Sequence, residues 1–272
     1  MQATKAHSMH TEVILVTPEQ AAEWLTKNIG NRRLRNDVVE KYRRIMKAGN
    51  WRLTPQGIVF DDTGALATGQ HRLTAVVRAG VSVPMTVTWG LPREYRSALD
   101  QGSQWDAADT IRNIDGCDWI DRRHVAMIRC MMGNYGKNKR NFSADEVAEY
   151  AVKNEGIIRQ ALTLDSGHGA LSAPPMYACY AGAMLKEDFA KLERFASIMR
   201  FPENVATNEG AALRLRDFLI MTPNPWGGAT RTPSMLKAQR ALYAFCQGQP
   251  LAKLYSNDRV YYPAPPVAVY ED

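Results

Sequence analysis

Residues 64–75 of the sequence, GALATGQHRLTA, constrain the fold more than any other stretch, because a short apolar strand runs directly into a glycine and the first turn of a helix. Glycine at this bend allows the backbone to approach a ligand closely. The first N–H groups of the helix and its positive dipole end favour an anion such as phosphate. His71 and Arg72 bring charge-assisted donors to the same place. The stretch therefore predicts a phosphate-binding turn.

Length and composition indicate a globular protein that works outside a membrane. The 272 residues suffice for one large domain or two small ones, and 45% hydrophobic content is enough for a packed core. No apolar run approaches the roughly 18 residues needed to span a bilayer, and the N-terminus lacks a signal pattern, so we expect a cytoplasmic protein and no membrane partner. The four cysteines are far apart without a CxxC pair, which predicts reduced, mostly buried thiols and no metal site.

Positive charge is concentrated in one region of the sequence. Residues 32–52 contain eight lysines and arginines against Asp37 and Glu40, an excess of six that equals the formal net charge of the chain. Such a face favours a polyanionic partner, although a solvated helix face rich in arginine explains it equally well. A second basic segment contains Lys137, Lys139 and Arg140. It predicts either contacts with a nucleic-acid backbone or a solvated loop.

The pattern of predicted secondary structure changes near residue 92. Before it, short strands and helices alternate; after it, capped amphipathic helices follow one another to the C-terminus. We predict strands at 13–16, 51–53, 58–60, 65–67 and 83–89, helices at 18–27, 36–49 and 70–78, and then helices that include one continuous helix from 143 to 162. The fold class is therefore α+β, with an α+β domain at 1–105 and a mostly α-helical domain at 106–272.

The segment 31–100 resembles the ParB/sulfiredoxin superfamily. The resemblance is carried by Gly49-Asn50-Trp51, by Ile58-Val59-Phe60-Asp61 and above all by the run from Gly69 to Ala75. More narrowly, it resembles the phage and mobile-element branch whose signature is DGQHRL followed by a helical region. The resemblance implies a small ParB/sulfiredoxin-like nucleotide-binding domain at the N-terminus.

The resemblance also implies roles for individual residues. The nucleotide phosphates would be contacted by the turn residues Thr68, Gly69, Gln70, His71 and Arg72. The basic loop facing that turn, and contacting nucleic acid, would contain Asn31, Arg32, Arg33 and Arg35. The implied ligand is a nucleoside triphosphate, ATP or CTP, with Mg²⁺, since relatives hydrolyse CTP while loading on DNA, spend ATP on an oxidised thiol, phosphorylate free serine, or are described as nucleases.

Departures from the family pattern reduce the number of reactions that the resemblance implies. Thr68 replaces the usual aspartate before the glycine, which weakens magnesium binding at that point, and Gln70 stands where sulfiredoxins carry cysteine, which excludes sulfur reduction. No partition-type helix-turn-helix is recognisable. Catalysis would still require a carboxylate or a proton-transfer group, and the candidates are Asp100, His71 and Asp61, although Asp61 and Asp62 also fit ordinary turn formation.

These observations predict a phage-type protein that binds a nucleoside triphosphate and acts on DNA by hydrolysing the nucleotide, transferring a phosphoryl group, modifying DNA or cleaving it. Two alternatives remain open. One is a DNA-binding or regulatory module without catalysis, and the other is a small-molecule kinase. The sequence leaves the oligomeric state open, a homodimer included.

Overall fold

The computed structural model describes residues 9–31, 33–98, 106–137 and 140–266. Arg32, Asp100 and Lys139, three of the predicted site residues, lie outside the described residues. The chain divides into two compact units between residues 104 and 105, here called the N-terminal unit and the C-terminal unit. Together they form a mixed α/β protein with one four-stranded sheet.

The described residues of the N-terminal unit form four strands and three helices. In chain order they are β1 (His10–Val16), α1 (Pro18–Leu25), α2 (Asn36–Lys47), β2 (Ile58–Asp61), β3 (Leu66–Thr68), α3 (Gln70–Ala79) and β4 (Val83–Leu91), followed by a 3₁₀ turn at Arg93–Ala98. The sheet order is β1-β4-β2-β3, in which β2 and β4 are parallel and the other neighbours antiparallel. The chain therefore crosses from β2 through β3 and α3 to reach β4.

The core of the N-terminal unit lies between the sheet and its helices. Thr17 caps α1 by accepting a hydrogen bond from Gln20 N–H at 3.2 Å, which directs Trp24 inward. The Trp24 ring meets Phe60 of β2 edge-on at 5.3 Å, and Phe60 in turn stacks with Trp89 of β4. These aromatic contacts hold α1 against the centre of the sheet.

One predicted strand is wrong. Residues 51–53 form no backbone ladder, because this segment bonds to β4 through side chains: Trp51 Nε1 donates to Pro84 O at 3.0 Å, and the Thr86 hydroxyl donates to Thr54 O at 2.9 Å. Trp24 is buried, and Tyr42 and Trp51 pack against the core as partly buried rings.

Helices alone form the regular structure described in the C-terminal unit. They are α4 (Ala107–Arg112), α5 (Arg122–Met132), α6 (Ala144–Lys153), α7 (Glu155–Ala161), α8 (Pro174–Ala183), α9 (Phe189–Arg200), α10 (Gly210–Met221) and α11 (Arg231–Cys246), with short 3₁₀ turns between some of them. The helix predicted at 143–162 is broken at Asn154, whose side chain donates to Tyr150 O at 2.8 Å and so competes with the helical ladder.

Helix α8 is the centre of the C-terminal unit. Every residue from Pro175 to Ala183 is buried, and α5, α7 and α11 pack around it. The chain after α11 crosses α8 at Gly182, where a Cβ atom would lie 2.7 Å from Tyr262 O. The C-terminal segment up to residue 266 is therefore part of this core, although its described residues form no helix or strand.

No helix among the described residues is long and apolar enough to cross a membrane.

Candidate phosphate-binding turn

Gly69 joins β3 to α3 in a conformation that other residues rarely adopt. Its φ is +114° and its ψ is −3°, and a Cβ atom built there would lie 2.5 Å from Ile58 Cδ1 and 3.2 Å from Ile58 Cα. Both the positive φ and the close packing require glycine. The helix therefore begins directly against β2.

The hydrogen-bond ladder of α3 begins with Leu73 N–H, which donates to Gly69 O at 3.0 Å. The N–H groups of the preceding turn point out of the N-terminal end of the helix, where the helix dipole favours an anion. The predicted glycine bend, followed directly by a helix start, is thus present in the backbone.

Gln70 is buried at 6% exposure and belongs to a chain of amides. Its Oε1 accepts from Asn28 Nδ2 at 3.0 Å, and Asn31 Nδ2 donates to Asn28 Oδ1 at 2.6 Å and to Leu66 O at 2.7 Å. The structure thus brings together Asn31 and Gln70, two predicted site residues. It does so through Asn28, which sequence reasoning missed even though it opens the polar loop after α1.

His71 connects the turn to α2. Its Nε2 accepts from the backbone N–H of Arg35 at 3.0 Å, which places the ring proton on Nδ1 in this arrangement. The Arg35 side chain turns elsewhere and pairs with Asp37 at 2.8 Å. Arg35 therefore contributes its backbone, rather than its charge, to the neighbourhood of His71.

Arg72 is held by neutral groups. Its Nη1 donates to Gly57 O at 3.3 Å, Nη2 lies 3.5 Å from Gln56 Oε1, and its Cζ stands 5.9 Å from the centre of the Tyr42 ring. Among the described residues no carboxylate pairs with it. A half-buried guanidinium thus retains its full positive charge beside the start of α3.

Thr68 and Asp61 occupy different ends of the β2–β3 pair. Thr68 lies opposite Val59 and leads into Gly69, whereas Asp61 stands at the other end of β2, three residues or about 10 Å from Ile58. Asp61 is 2% exposed, and its Oδ1 accepts from Thr63 N, Thr63 Oγ1 and Ala65 N. The structure therefore separates Asp61 from the phosphate-binding turn and uses that oxygen to shape the hairpin.

Ion pairs within the N-terminal unit neutralise some of the positive charge on α2. Glu40 accepts from Arg43 at 2.7 Å and from Arg78 of α3 at 2.9 Å, and the hydrogen bond from Arg43, aided by Arg78, lowers the pKa of the Glu40 carboxyl from its ordinary value. Arg33, Lys47 and Arg52 are exposed, and among the described residues none of the three has an ion-pair partner. These three exposed side chains therefore keep a charge that no carboxylate of the described residues neutralises.

The second basic segment is largely neutralised where it is described. Lys137 pairs with Asp258 at 2.8 Å, and Arg140 pairs with the mostly buried Glu146 and lies over the Phe142 ring. Both contacts lie within the C-terminal unit and stabilise it. They lessen the charge that Lys137 and Arg140 would offer to a nucleic-acid backbone.

The cysteines are poor nucleophiles. All four are free, as the spacing predicts, and burial raises the pKa of each thiol, to about 11 at Cys130 and about 12 at Cys246. At neutral pH they remain protonated. Among the described residues no group of three or more His, Cys, Asp or Glu side chains is arranged to hold a metal ion.

Comparison with known proteins returns no match among protein-family models, curated proteins or solved structures.

Proposed function

We propose that the N-terminal unit binds the phosphates of a nucleoside triphosphate at the start of α3 and that the protein acts on DNA. The observation that carries the proposal is the combination of Gly69, which sets the helix start against β2, with the uncompensated guanidinium of Arg72 beside it. A helix N-terminus with an adjacent arginine binds multiply charged phosphate well. The resemblance to ParB-like proteins supports the same ligand.

Phosphate oxygens would accept from the backbone of the first turn of α3 and from Arg72, with the His71 Nδ1–H as a further donor. In phosphoryl transfer the protein acts mainly by positioning phosphates and neutralising charge, which these groups can do. Magnesium would enter bound to the nucleotide, since Mg²⁺ commonly reaches such sites on substrate phosphates. Thr68 and the distant Asp61 do not supply a carboxylate for it at the turn.

The acceptor of the reaction remains open between water and DNA, and Asp100 remains the proposed carboxylate for proton abstraction. The proposal places DNA on the exposed basic residues Arg33, Lys47 and Arg52. Arg33 is two residues from Arg35, whose backbone bonds to His71, so this basic surface begins next to the nucleotide turn.

A second candidate is a DNA-binding or regulatory module without catalysis. It is favoured by the fact that Gln70, His71 and Arg72 all contact other segments of the protein: Asn28, Arg35 and Gly57 respectively. In this function the turn is a structural junction, and a nucleotide acts as a switch or is not bound.

The test is equilibrium binding and turnover of labelled ATP, CTP, GTP and UTP with Mg²⁺, with and without duplex DNA, for the wild type, Arg72→Ala and the control Arg78→Ala. Loss of a charge-assisted hydrogen bond is worth about 1.5–3 kcal/mol, so Arg72→Ala should weaken nucleotide binding by about tenfold to a hundredfold. Arg78 lies on the same helix but is paired with Glu40, so its removal should leave affinity unchanged.

Turnover or label transfer that disappears in Arg72→Ala would establish the catalytic form of the proposal. DNA binding without any nucleotide binding would instead favour the non-catalytic module. Equal loss in both arginine variants, with thermal stability reduced in both, would show a folding effect and remove the support for a phosphate site at Arg72.

A further inference from the structure

Strand β1 forms the long edge of the sheet. All seven of its residues pair with β4, from His10 opposite Trp89 to Val16 opposite Val83. Among the residues that the structure describes, no strand lies on its other side. The opposite edge, β3, has three residues, so β1 offers the longer row of backbone donors and acceptors.

Two of the exposed side chains of β1, Val13 and Leu15, are large and apolar, beside the polar His10, Thr11 and Glu12. Thr11, Val13 and Leu15 share one face, and Val13 and Leu15 are 59% and 61% exposed. Ile14 and Val16, on the alternate face, belong to the core of the N-terminal unit.

A third exposed apolar side chain lies nearby. Leu53, 47% exposed, belongs to the segment that bonds to Pro84 and Thr86 of β4, and these two residues stand opposite Leu15 and Val13. Natural proteins usually protect a free edge with charge, proline or a bulge. On β1 the exposed charge is Glu12, which lies on the face opposite Val13 and Leu15. The face with Thr11, Val13 and Leu15 has neither charge nor proline, and Leu53 adds apolar surface beside it.

We propose that β1 pairs antiparallel with β1 of a second copy of this chain, about a two-fold axis at Val13. The two four-stranded sheets then join into one continuous sheet. Pairing of edge strands supplies backbone hydrogen bonds, and two-fold contacts are the commonest in homo-oligomers. The inference is independent of the proposed nucleotide site.

The residues of β1 select this register. Centring the pair on Val13 uses all seven residues, sets Val13 against its own copy, and places Glu12 opposite Ile14. Centring it on Glu12 would bring two carboxylates face to face, which is destabilising. Centring it on Ile14 would place His10 and Thr11 against Pro18 and Thr17, the first residue and the cap of α1.

The register can be tested by disulfide trapping in the full chain. Directly opposed residues have Cα atoms about 4.5–5.5 Å apart, within disulfide range. Val13→Cys should therefore form a covalent dimer under mild oxidation. Leu15→Cys should not form one with itself, because its two copies would be four residues apart, or about 13 Å. A mixture of Thr11→Cys and Leu15→Cys proteins should cross-link, since these positions oppose each other.

Sedimentation velocity tests the dimer without cysteines. The wild type should dimerise with increasing concentration, Val13→Lys/Leu15→Lys should remain monomeric, and the control Ile220→Lys, at a 54% exposed position on α10, should behave as the wild type. Circular dichroism checks that each variant is folded. A monomeric wild type, which would leave the edge for a strand of another protein, overturns the proposal. The proposal is also overturned if Val13→Cys forms no more covalent dimer than Leu15→Cys or than the wild type with its native cysteines.

Discussion

Gly69 shows how a single residue sets the position of the candidate site. Sequence reasoning placed a glycine at a bend, but it gave no account of what the glycine touches. The structure shows that the missing side chain is what allows α3 to begin in contact with Ile58. The site depends on that contact, because it fixes where the first N–H groups of α3 lie relative to the sheet.

Gly69→Ala should therefore be strongly destabilising. The substitution adds backbone strain at a φ of +114°, about 1–3 kcal/mol, and an overpacked contact with Ile58, about 1–3 kcal/mol. We expect the free energy of unfolding to fall by about 2–6 kcal/mol in urea denaturation.

Gly64→Ala is the matched control for this prediction. Gly64 also has a positive φ, +80°, but a Cβ atom there would meet nothing within 4 Å. It should cost only the backbone strain, about 1–2 kcal/mol. If the two variants lose the same stability, the packing of Gly69 on Ile58 contributes nothing and the account of the helix start is wrong.

At the scale of elements, the loop between α9 and α10 is fixed by one carboxylate. Glu209 accepts from Arg194 Nε and Nη2, both at 2.8 Å, and from Ala206 N–H at 2.9 Å. The hydrogen bond from Arg194 lowers the pKa of Glu209 from its ordinary value. A lowered pKa means that the ionised form stabilises the fold above the ordinary pKa of glutamate and that this stabilisation is lost as pH falls through the lower value.

The wild type should accordingly be more stable than Glu209→Gln at pH 6 to 7. Its advantage should shrink as the pH falls below about 4.3, the ordinary pKa of glutamate. Unfolding free energies of both proteins at a series of pH values measure the difference. A difference that does not change with pH would mean that the ionised carboxylate is not what holds the loop.

The C-terminal segment is held to α11 by a buried amide. Gln239 is fully buried; its Oε1 accepts from Tyr261 N–H and Tyr262 N–H, and its Nε2 donates to Tyr262 O. Gln239→Leu should destabilise the protein by about 2–4 kcal/mol, because it leaves buried backbone groups unpaired. Hydrogen exchange should accelerate at Tyr261 and Tyr262.

The exposed Gln247, at the end of the same helix, provides the comparison for Gln239. Gln247→Leu should change stability by no more than about 0.5 kcal/mol and leave exchange at residues 261 and 262 unaltered. Unchanged exchange in Gln239→Leu would show that other contacts, such as Tyr150 with Pro265, hold the segment alone.

At the scale of the whole molecule, periodicity and capping predicted the mixed α/β composition and most elements. Thr17 caps α1 by accepting from Gln20 N–H, and Ser143 and Glu146 cap α6 reciprocally. The two predictions that failed depend on side-chain contacts that periodicity does not reveal. Residues 51–53 are held to β4 by the Trp51 side chain instead of a strand ladder, and Asn154 interrupts the predicted helix by donating to Tyr150 O.

The candidate site was predictable in its backbone and not in its side-chain partners. The glycine and helix start follow from local sequence, whereas the Asn28–Gln70 contact joins residues 42 positions apart in the chain and the separation of Asp61 depends on the register of β2 and β3. The sequence predicted the net charge of residues 32–52 but not which arginines form ion pairs. That depends on where the carboxylates of Glu40 and Asp37 lie in the fold.

That distribution of charge leads to a prediction about DNA. Arg33, Lys47 and Arg52 are exposed on the region of α2, whereas Lys137 and Arg140 are ion-paired. Each phosphate contact releases counterions and contributes about 0.9 to the slope of log affinity against log salt concentration. Replacing Arg33, Lys47 and Arg52 with glutamine should flatten that slope by about 2–3 for duplex DNA of mixed sequence.

The control for this charge loss is a triple glutamine variant at Lys186, Arg214 and Lys253, which are exposed in the C-terminal unit. It removes the same net charge but should leave the slope unchanged. Fluorescence anisotropy over a range of salt concentrations measures both. Equal flattening by the two variants would mean that DNA responds to the net charge of the chain, and the surface along α2 would then have no special role.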